Sequence, residues 1–197
     1  ALIDFQRTGA IVVTGQLGTR LALAAGRSQP GLGALVLRRV ALGRHGQLHA
    51  TVQWFHGLDA DSRLIARGEL GHTFTKNLLD LPPSLRFYAG GDRSIRGYNF
   101  REVSPRIDTD FGRYSVGAKN LVTASVEFER YFTETIGAAV FVDSGDAFDG
   151  TSPNWRTGVG IGARYRSPVG PLKFDIARGL DNPDSSFTIG LSIGAEF

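Results

Sequence analysis

Phe187-Thr188-Ile189-Gly190-Leu191-Ser192-Ile193-Gly194-Ala195-Glu196-Phe197 closes the chain, and every second residue of it is apolar. Successive side chains of an extended strand point to opposite faces, so the run reads as a β-strand with one apolar face and one small or polar face. The same period recurs upstream. Val122, Ala124, Val126 and Phe128 alternate with Thr123, Ser125, Glu127 and Glu129. Val159, Ile161, Ala163 and Tyr165 alternate with Gly158, Gly160, Gly162 and Arg164. Leu172, Phe174 and Ile176 alternate with Lys173 and Asp175, and Leu48, Ala50, Val52 and Trp54 with His49, Thr51 and Gln53. Stretches 9–16, 19–26 and 33–42 fit strands less cleanly. Helical periodicity is nearly absent. The reading is all-β and antiparallel, with about ten strands, most near the 9–11 residues that cross a bilayer when tilted.

Two features separate this pattern from a soluble antiparallel barrel or sandwich, the competing reading. One face is uniformly apolar, while the other holds Gly158, Gly160, Gly162, Glu127 and Glu129. That suits a lipid-facing wall around a wet lumen. Connection lengths also alternate toward the C-terminus. Long loops at about 74–117, 144–155 and 179–186 are interleaved with short turns near Phe132–Glu134 and Ser167–Gly170, the asymmetry of outer-membrane barrels.

Composition narrows the function. The 197 residues suffice for one domain, 1–197. There are no Cys, which removes a disulfide scaffold, a thiolate metal site and a Cys nucleophile. The 22 Lys and Arg are spread along the chain, without the cluster of a nucleic-acid surface, so no nucleic-acid partner is expected. No apolar run reaches the roughly 18 residues of a transmembrane helix. Ala1 follows no initiator Met or charged leader, so the chain is read as a mature or truncated piece.

The segment 74–117 is the exception to strand patterning, and a structureless stretch of more than about 40 residues inside a compact domain usually means function or disorder. Phe87-Tyr88-Ala89-Gly90-Gly91-Asp92-Arg93-Ser94-Ile95-Arg96-Gly97-Tyr98, at its middle, carries three glycines, three aromatics and two arginines, which argues against disorder. It matches the Gly-Gly-x-x-Ser-(Ile/Val)-Arg-Gly-(Tyr/Phe) signature of the barrel family that includes BamA, TamA and the two-partner secretion transporters. Ala124–Phe128, Val140–Gly145, Ser167–Asp175 and the strand ending in Phe197 resemble further segments of that family. Leu81-Pro82-Pro83-Ser84-Leu85-Arg86-Phe87 resembles the TamA branch more than the BamA branch. The likeness covers roughly residues 45 to 197.

The resemblance implies a transmembrane β-barrel of sixteen strands behind periplasmic POTRA domains, of which this chain is similar to the C-terminal portion only. It implies residence in the bacterial outer membrane, contact with its lipid, and no cofactor, nucleotide or chemical reaction. The implied task is assembly or translocation of unfolded outer-membrane or autotransporter substrates, with a periplasm-spanning inner-membrane partner. A passive porin or two-partner secretion pore is the alternative. The loop 74–117 would fold into the lumen, with Gly90, Gly91, Ser94, Ile95, Arg96, Gly97 and Tyr98 as its signature. Arg96 would pair with Glu127 and Asp143. Strand phase agrees, since Glu127 is opposite to Val126 and Phe128, and Asp143 to Val140 and Val142. A solvated Arg96 is the competing reading. Phe187, Ile189, Leu191, Ile193 and Phe197 would form a terminal strand that serves as sorting signal and as one side of a lateral seam, with Gly190 and Gly194 letting it bend.

Other patterns carry less. Asp143, Asp146 and Asp149 are spaced by three rather than by the alternation of a calcium loop, and read as a solvated loop. Gly158-Val159-Gly160-Ile161-Gly162 lies in a strand and opens no helix, unlike a phosphate loop. His45, His49, His56 and His72 lack acidic partners at ligand spacing, so no metal site is expected. No Ser/His/Asp set stands out. Trp54, Phe132, Tyr165 and Phe197 near strand ends fit an aromatic girdle or plain core packing.

Overall fold

The computed structural model describes residues 34–42, 45–110, 112–168, 170–181 and 187–194. The expected strands at 9–16 and 19–26, and Ala195 to Phe197, lie outside the described residues.

Eight strands form one antiparallel sheet. They are β1 (Ala34–Leu42), β2 (His45–Gly57), β3 (Ser62–Phe74), β6 (Asn120–Tyr131), β7 (Ile136–Phe148), β8 (Arg156–Ser167), β9 (Gly170–Gly179) and β10 (Thr188–Ile193). Their order in the sheet is their order in sequence, from β1 at one end to β10 at the other. This is a meander, held in register by strict alternation, since a slip of one residue would turn every side chain to the wrong face. β2, β3 and β7 run to 13 residues and β6 and β8 to 12, longer than the expected 9–11.

The polarity of the sheet is inverted relative to a soluble protein. On β6, Leu121, Thr123, Ser125, Glu127, Glu129 and Tyr131 are buried. Across the sheet, the opposite face leaves large apolar side chains open: Val126 is 45%, Ile161 62% and Leu191 65% exposed. A continuous apolar exterior of this kind needs lipid rather than water against it, which decides for the membrane barrel over the sandwich. Trp54, Phe132 and Tyr165 lie toward the short-turn end, and exposed Phe74, Trp155 and Phe187 mark the other end. Core packing does not account for Phe132, which is 68% exposed.

From β2 onward the short turns share one end, whereas Leu42 of β1 meets His45 of β2 at the other. At 58–61, Leu58 and Asp59 N–H donate to Ser62 O, and Asp61 N–H donates to Asp59 Oδ1. At 132–135, Phe132 and Thr133 N–H donate to Ile136 O. The opposite end carries the loops. Two expectations change there. β7 continues through Gly145 and Asp146 to Phe148, so the expected loop at 144–155 begins only at 149. Asp143 and Asp146 are buried strand residues rather than a solvated loop. The 74–117 segment also has structure of its own: 3-10 turns at Leu78–Asp80 and Pro83–Leu85, and a small hairpin of β4 (Arg106–Thr109) and β5 (Gly112–Ser115).

That loop lies against the inner face. Phe87, Ala89, Ile95, Tyr98 and Val103 from the loop region pack with Ala118, Leu121 and Ala147 in one buried cluster, so the hydrophobic core lies on the loop-covered side of the sheet. Two bridges, Phe87 with Ala118 and Ala89 with Val103, fix the loop's path. Arg86 fastens its two ends, donating to Leu79 O, Leu81 O and Val116 O.

Candidate functional site

The signature begins as a knot of backbone. Gly90, Gly91 and Gly97 have φ of 98°, 100° and 93°, a left-handed conformation that L side chains rarely adopt. Ser94 N–H donates to Gly91 O at 3.0 Å, and Gly90 N–H reaches Ser94 Oγ. A Cβ at Gly90 would stand 2.6 Å from Asn99 O. This tight turn drives Ile95 into the core and leaves the next residue facing the wall.

Arg96 is 4% exposed, and its guanidinium is enclosed by inner-face groups of β6, β7 and β9. Nε and Nη2 make a fork on Asp143, at 2.7 Å to Oδ2 and 2.9 Å to Oδ1, and the backbone N–H of Arg96 adds 3.0 Å to Oδ2. Nη1 donates to Glu127 Oε2 at 2.6 Å and to Asp175 Oδ2 at 3.2 Å. Ser125 Oγ donates to Asp143 Oδ1 at 2.6 Å, and the guanidinium carbon lies 3.3 Å from the centre of the Phe141 ring. A fork on one carboxylate, further carboxylates at the third nitrogen and a ring face suit a planar cation well.

The expected partners Glu127 and Asp143 are therefore both at Arg96, and five more charged residues join them. Arg164 donates to Glu127 at 2.6 Å, to Glu129 at 2.9 Å and to Asp175 at 2.5 Å. Arg63 reaches Glu129 Oε2 at 2.5 Å, and Lys173 stands 3.9 Å from Glu129 Oε1. The cluster thus sets Arg63, Arg96, Arg164 and Lys173 against Glu127, Glu129, Asp143 and Asp175, four cations against four carboxylates. Equal numbers matter because an unpaired charge out of water is very costly. No buried side-chain polar atom among the described residues lacks a partner.

Parity already placed Arg164 and Asp175 on the polar face. What it could not supply was the cross-strand register, which sets Gly137 beside Arg164 and Gly162 beside Asp175 and lets one guanidinium span three carboxylates.

The glycines of β8 have a steric task. A Cβ on Gly158 would overlap the carbonyl oxygen of Arg96. One on Gly160 would strike the Phe141 ring, and one on Gly162 the Asp175 carboxylate. They clear space for the docked loop and its charges.

Beyond Arg96, the loop reaches the last strands. Gly97 N–H donates to Thr188 Oγ1 at 3.0 Å. Asp181 N–H donates to the Tyr98 hydroxyl at 3.2 Å, and that hydroxyl donates to Thr157 O at 3.3 Å. Burial raises the Tyr98 phenol above its ordinary pKa, so it remains a donor at neutral pH. Ile189, Leu191 and Ile193 project outward, as their phase requires, and Phe187 is exposed just before β10; Phe197 is outside the described residues. Gly190 lies under Asp92, whose carboxylate would be 2.8 Å from a Cβ there, so the glycine also clears space for the loop.

The histidines stay apart. His49 bonds Glu69 across β2 and β3 at 2.5 Å, His72 bonds Asn120, and His56 stacks on Trp54. No group of three metal-ligating side chains gathers among the described residues. The charged cluster is saturated by its own members. It can clamp a loop, and it offers no free nucleophile.

Comparison with known proteins agrees with this geometry. The profile of the Omp85 superfamily domain matches residues 43–197. The outer membrane protein assembly factor BamA of Nitratidesulfovibrio vulgaris is 33% identical over 156 residues, covering 74% of this chain and 20% of that protein. The chain therefore spans about a fifth of that relative's length. The crystal structure of BamA from Haemophilus ducreyi lacking POTRA domains 1-3 superposes with a TM-score of 0.61 at 19% identity, over 75% of this chain and 35% of that one, a likeness of fold.

Proposed function

We propose a function on one premise: this chain belongs to the Omp85 superfamily and sits in the bacterial outer membrane. It is part of a barrel that helps other outer-membrane proteins fold into the bilayer or cross it. The work is physical, with no cofactor, no nucleotide and no covalent step. The observation that carries this reading is the loop clamped inside the sheet. Ile95 is fully buried and Arg96 nearly so, which fills the inner side with a bonded plug where a passive porin needs an open water path. An assembly barrel has no such need, because it can act through its wall.

The client is an unfolded β-strand segment. A strand edge is a template for another strand, since its backbone N–H and C=O groups seek partners. Among the described residues β10 pairs with β9 alone, and its other edge is the place for the client. On the Leu81–Phe87 resemblance the branch is that of TamA, the clients include autotransporters, and an inner-membrane protein spanning the periplasm is the partner.

The test uses the full-length protein in lipid vesicles with an unfolded outer-membrane barrel as client. The chain has no native cysteine, so a pair placed in β10 and the barrel's first strand is unambiguous within this chain. Oxidation is expected to stop client insertion and reduction to restore it. Insertion at the same rate in the oxidised state would overturn the reading and favour a pore or scaffold.

A further inference from the structure

Among the described residues β10 has the shortest ladder of the sheet, continued by Gly194 N–H donating to Pro171 O at 2.9 Å. It pairs with β9 over six residues, Thr188–Ile193, whereas β6 and β7 pair over twelve. The signature loop supplies what the ladder lacks. Its contact with β10 and the adjoining end of β9 is made at four places by three residues, Asp92, Gly97 and Tyr98. Asp92 rests on Gly190, near enough that a Cβ there would lie 2.8–3.2 Å from the carboxylate atoms. Gly97 N–H is bonded to Thr188 Oγ1. The backbone of Gly97 lies on that of Arg178 and Gly179, where a Cβ would meet Arg178 C at 2.5 Å and Gly179 N at 2.6 Å. The Tyr98 ring covers Gly179, and its hydroxyl accepts from Asp181 N–H at the end of β9.

From these contacts we infer that the loop is the latch of the last strand: β10 is held in place by the docked signature loop, and freeing β10 requires the loop to leave. The charged clamp and the latch are parts of one strap. Arg96 fixes the strap to β6, β7 and β9, and the residues on either side of it, Asp92 and Gly97, fix β10. This explains why two features distant in sequence are adjacent in space. It also assigns the clamp a role beyond stability, because any event that withdraws Arg96 from Asp143 and Glu127 also releases the strand edge that a client would use. The inference rests on the proposed use of β10 for the gating consequence, and on geometry alone for the latch.

Hydrogen exchange, read by mass spectrometry on the full-length protein in lipid, separates the two. Thr188→Val removes the acceptor for Gly97 N–H. Exchange of the 188–193 amides is expected to quicken about two- to tenfold, the factor that corresponds to the net worth of one hydrogen bond, while β6 and β7 stay protected. Arg96→Ala provides the remote test, since the hydrogen-bond partners of Arg96 lie on β6, β7 and β9 and none lies on β10. It is expected to quicken the same amides. Unchanged β10 exchange in Arg96→Ala, with the loop shown to be undocked by new protease cleavage within 88–104, would overturn the latch. Client insertion is then read on Thr188→Val. Faster β10 exchange with faster insertion supports latch and gate together. Faster exchange with unaltered insertion leaves the latch standing and counts against the use of β10 as the client's edge.

Discussion

A guanidinium enclosed like that of Arg96 is tolerated because its counter-ions are in place, and the converse holds for Asp143, which is 0% exposed. Arg96→Ala would leave Asp143 with Ser125 Oγ as its remaining side-chain donor among the described contacts, and one carboxylate in excess within the cluster. Removing one member of a buried pair costs about 3–5 kcal/mol, more than an exposed pair could. Asp143→Ala strands the opposite charge. The two losses belong to one network, so a double-mutant cycle on unfolding in lipid should give a coupling above about 0.5 kcal/mol. Coupling within error would mean that Asp143 serves its own strand and not the loop. The pairing of Arg96 with Glu127 and Asp143 was legible because family likeness and strand phase pointed to the same three residues. Arg164 was visible as an inward arginine between Ala163 and Tyr165. Its three carboxylates were not, because a period of two assigns faces and leaves open which residues of neighbouring strands stand side by side.

At the scale of elements, the same limit shows in β8. Alternation of Gly158, Gly160 and Gly162 with Val159 and Ile161 marks an inward stripe, and an inward stripe in an empty lumen would accept serine or alanine. Here the lumen side is occupied. A Cβ on Gly158 meets the Arg96 carbonyl, backbone that cannot swing aside as a side chain can. Gly158→Ala should therefore expel the loop while altering no charge, at a cost of about 1–3 kcal/mol typical of overpacking. Limited proteolysis should find new cuts within 88–104, with β-sheet content by circular dichroism unchanged. Wild-type digestion would show that the loop absorbs the methyl group by sliding. The hairpin β4–β5 stayed hidden in the sequence for a different reason. Its four-residue strands bury little, so Arg106-Ile107-Asp108-Thr109 carries no hydrophobic alternation to read. The extension of β7 was masked by Asp146, an acid that looks like loop until Asn154 N–H is seen bonded to it at 2.7 Å.

The whole molecule is a sheet with its polarity reversed, and that reversal was the most legible property of the chain because it needs no knowledge of register. Arg96, Arg164, Glu127, Glu129 and Asp143 lie inside, paired with opposite charges, and apolar residues cover the outside, where lipid replaces water. Val126 and Ile161 sit mid-strand on the outer face of β6 and β8. An arginine at either position would hold its charge against hydrocarbon, which costs about 2–4 kcal/mol near the bilayer midplane and less toward its edges. Thr51 offers the matched control. It lies on the inner face of β2, directly across from Glu69, where an added guanidinium meets a carboxylate. Ser125 would not serve, since it already lies beneath Arg96 and bonds Asp143. Val126→Arg and Ile161→Arg should lower the folded, heat-modifiable fraction of the full-length protein in lipid vesicles, while Thr51→Arg should leave it near wild type. Thicker bilayers place both outer positions deeper in hydrocarbon and should widen the gap. Equal folded yields for all three variants would mean that the apolar face meets something other than lipid, and the membrane orientation of the sheet would have to be reversed or abandoned.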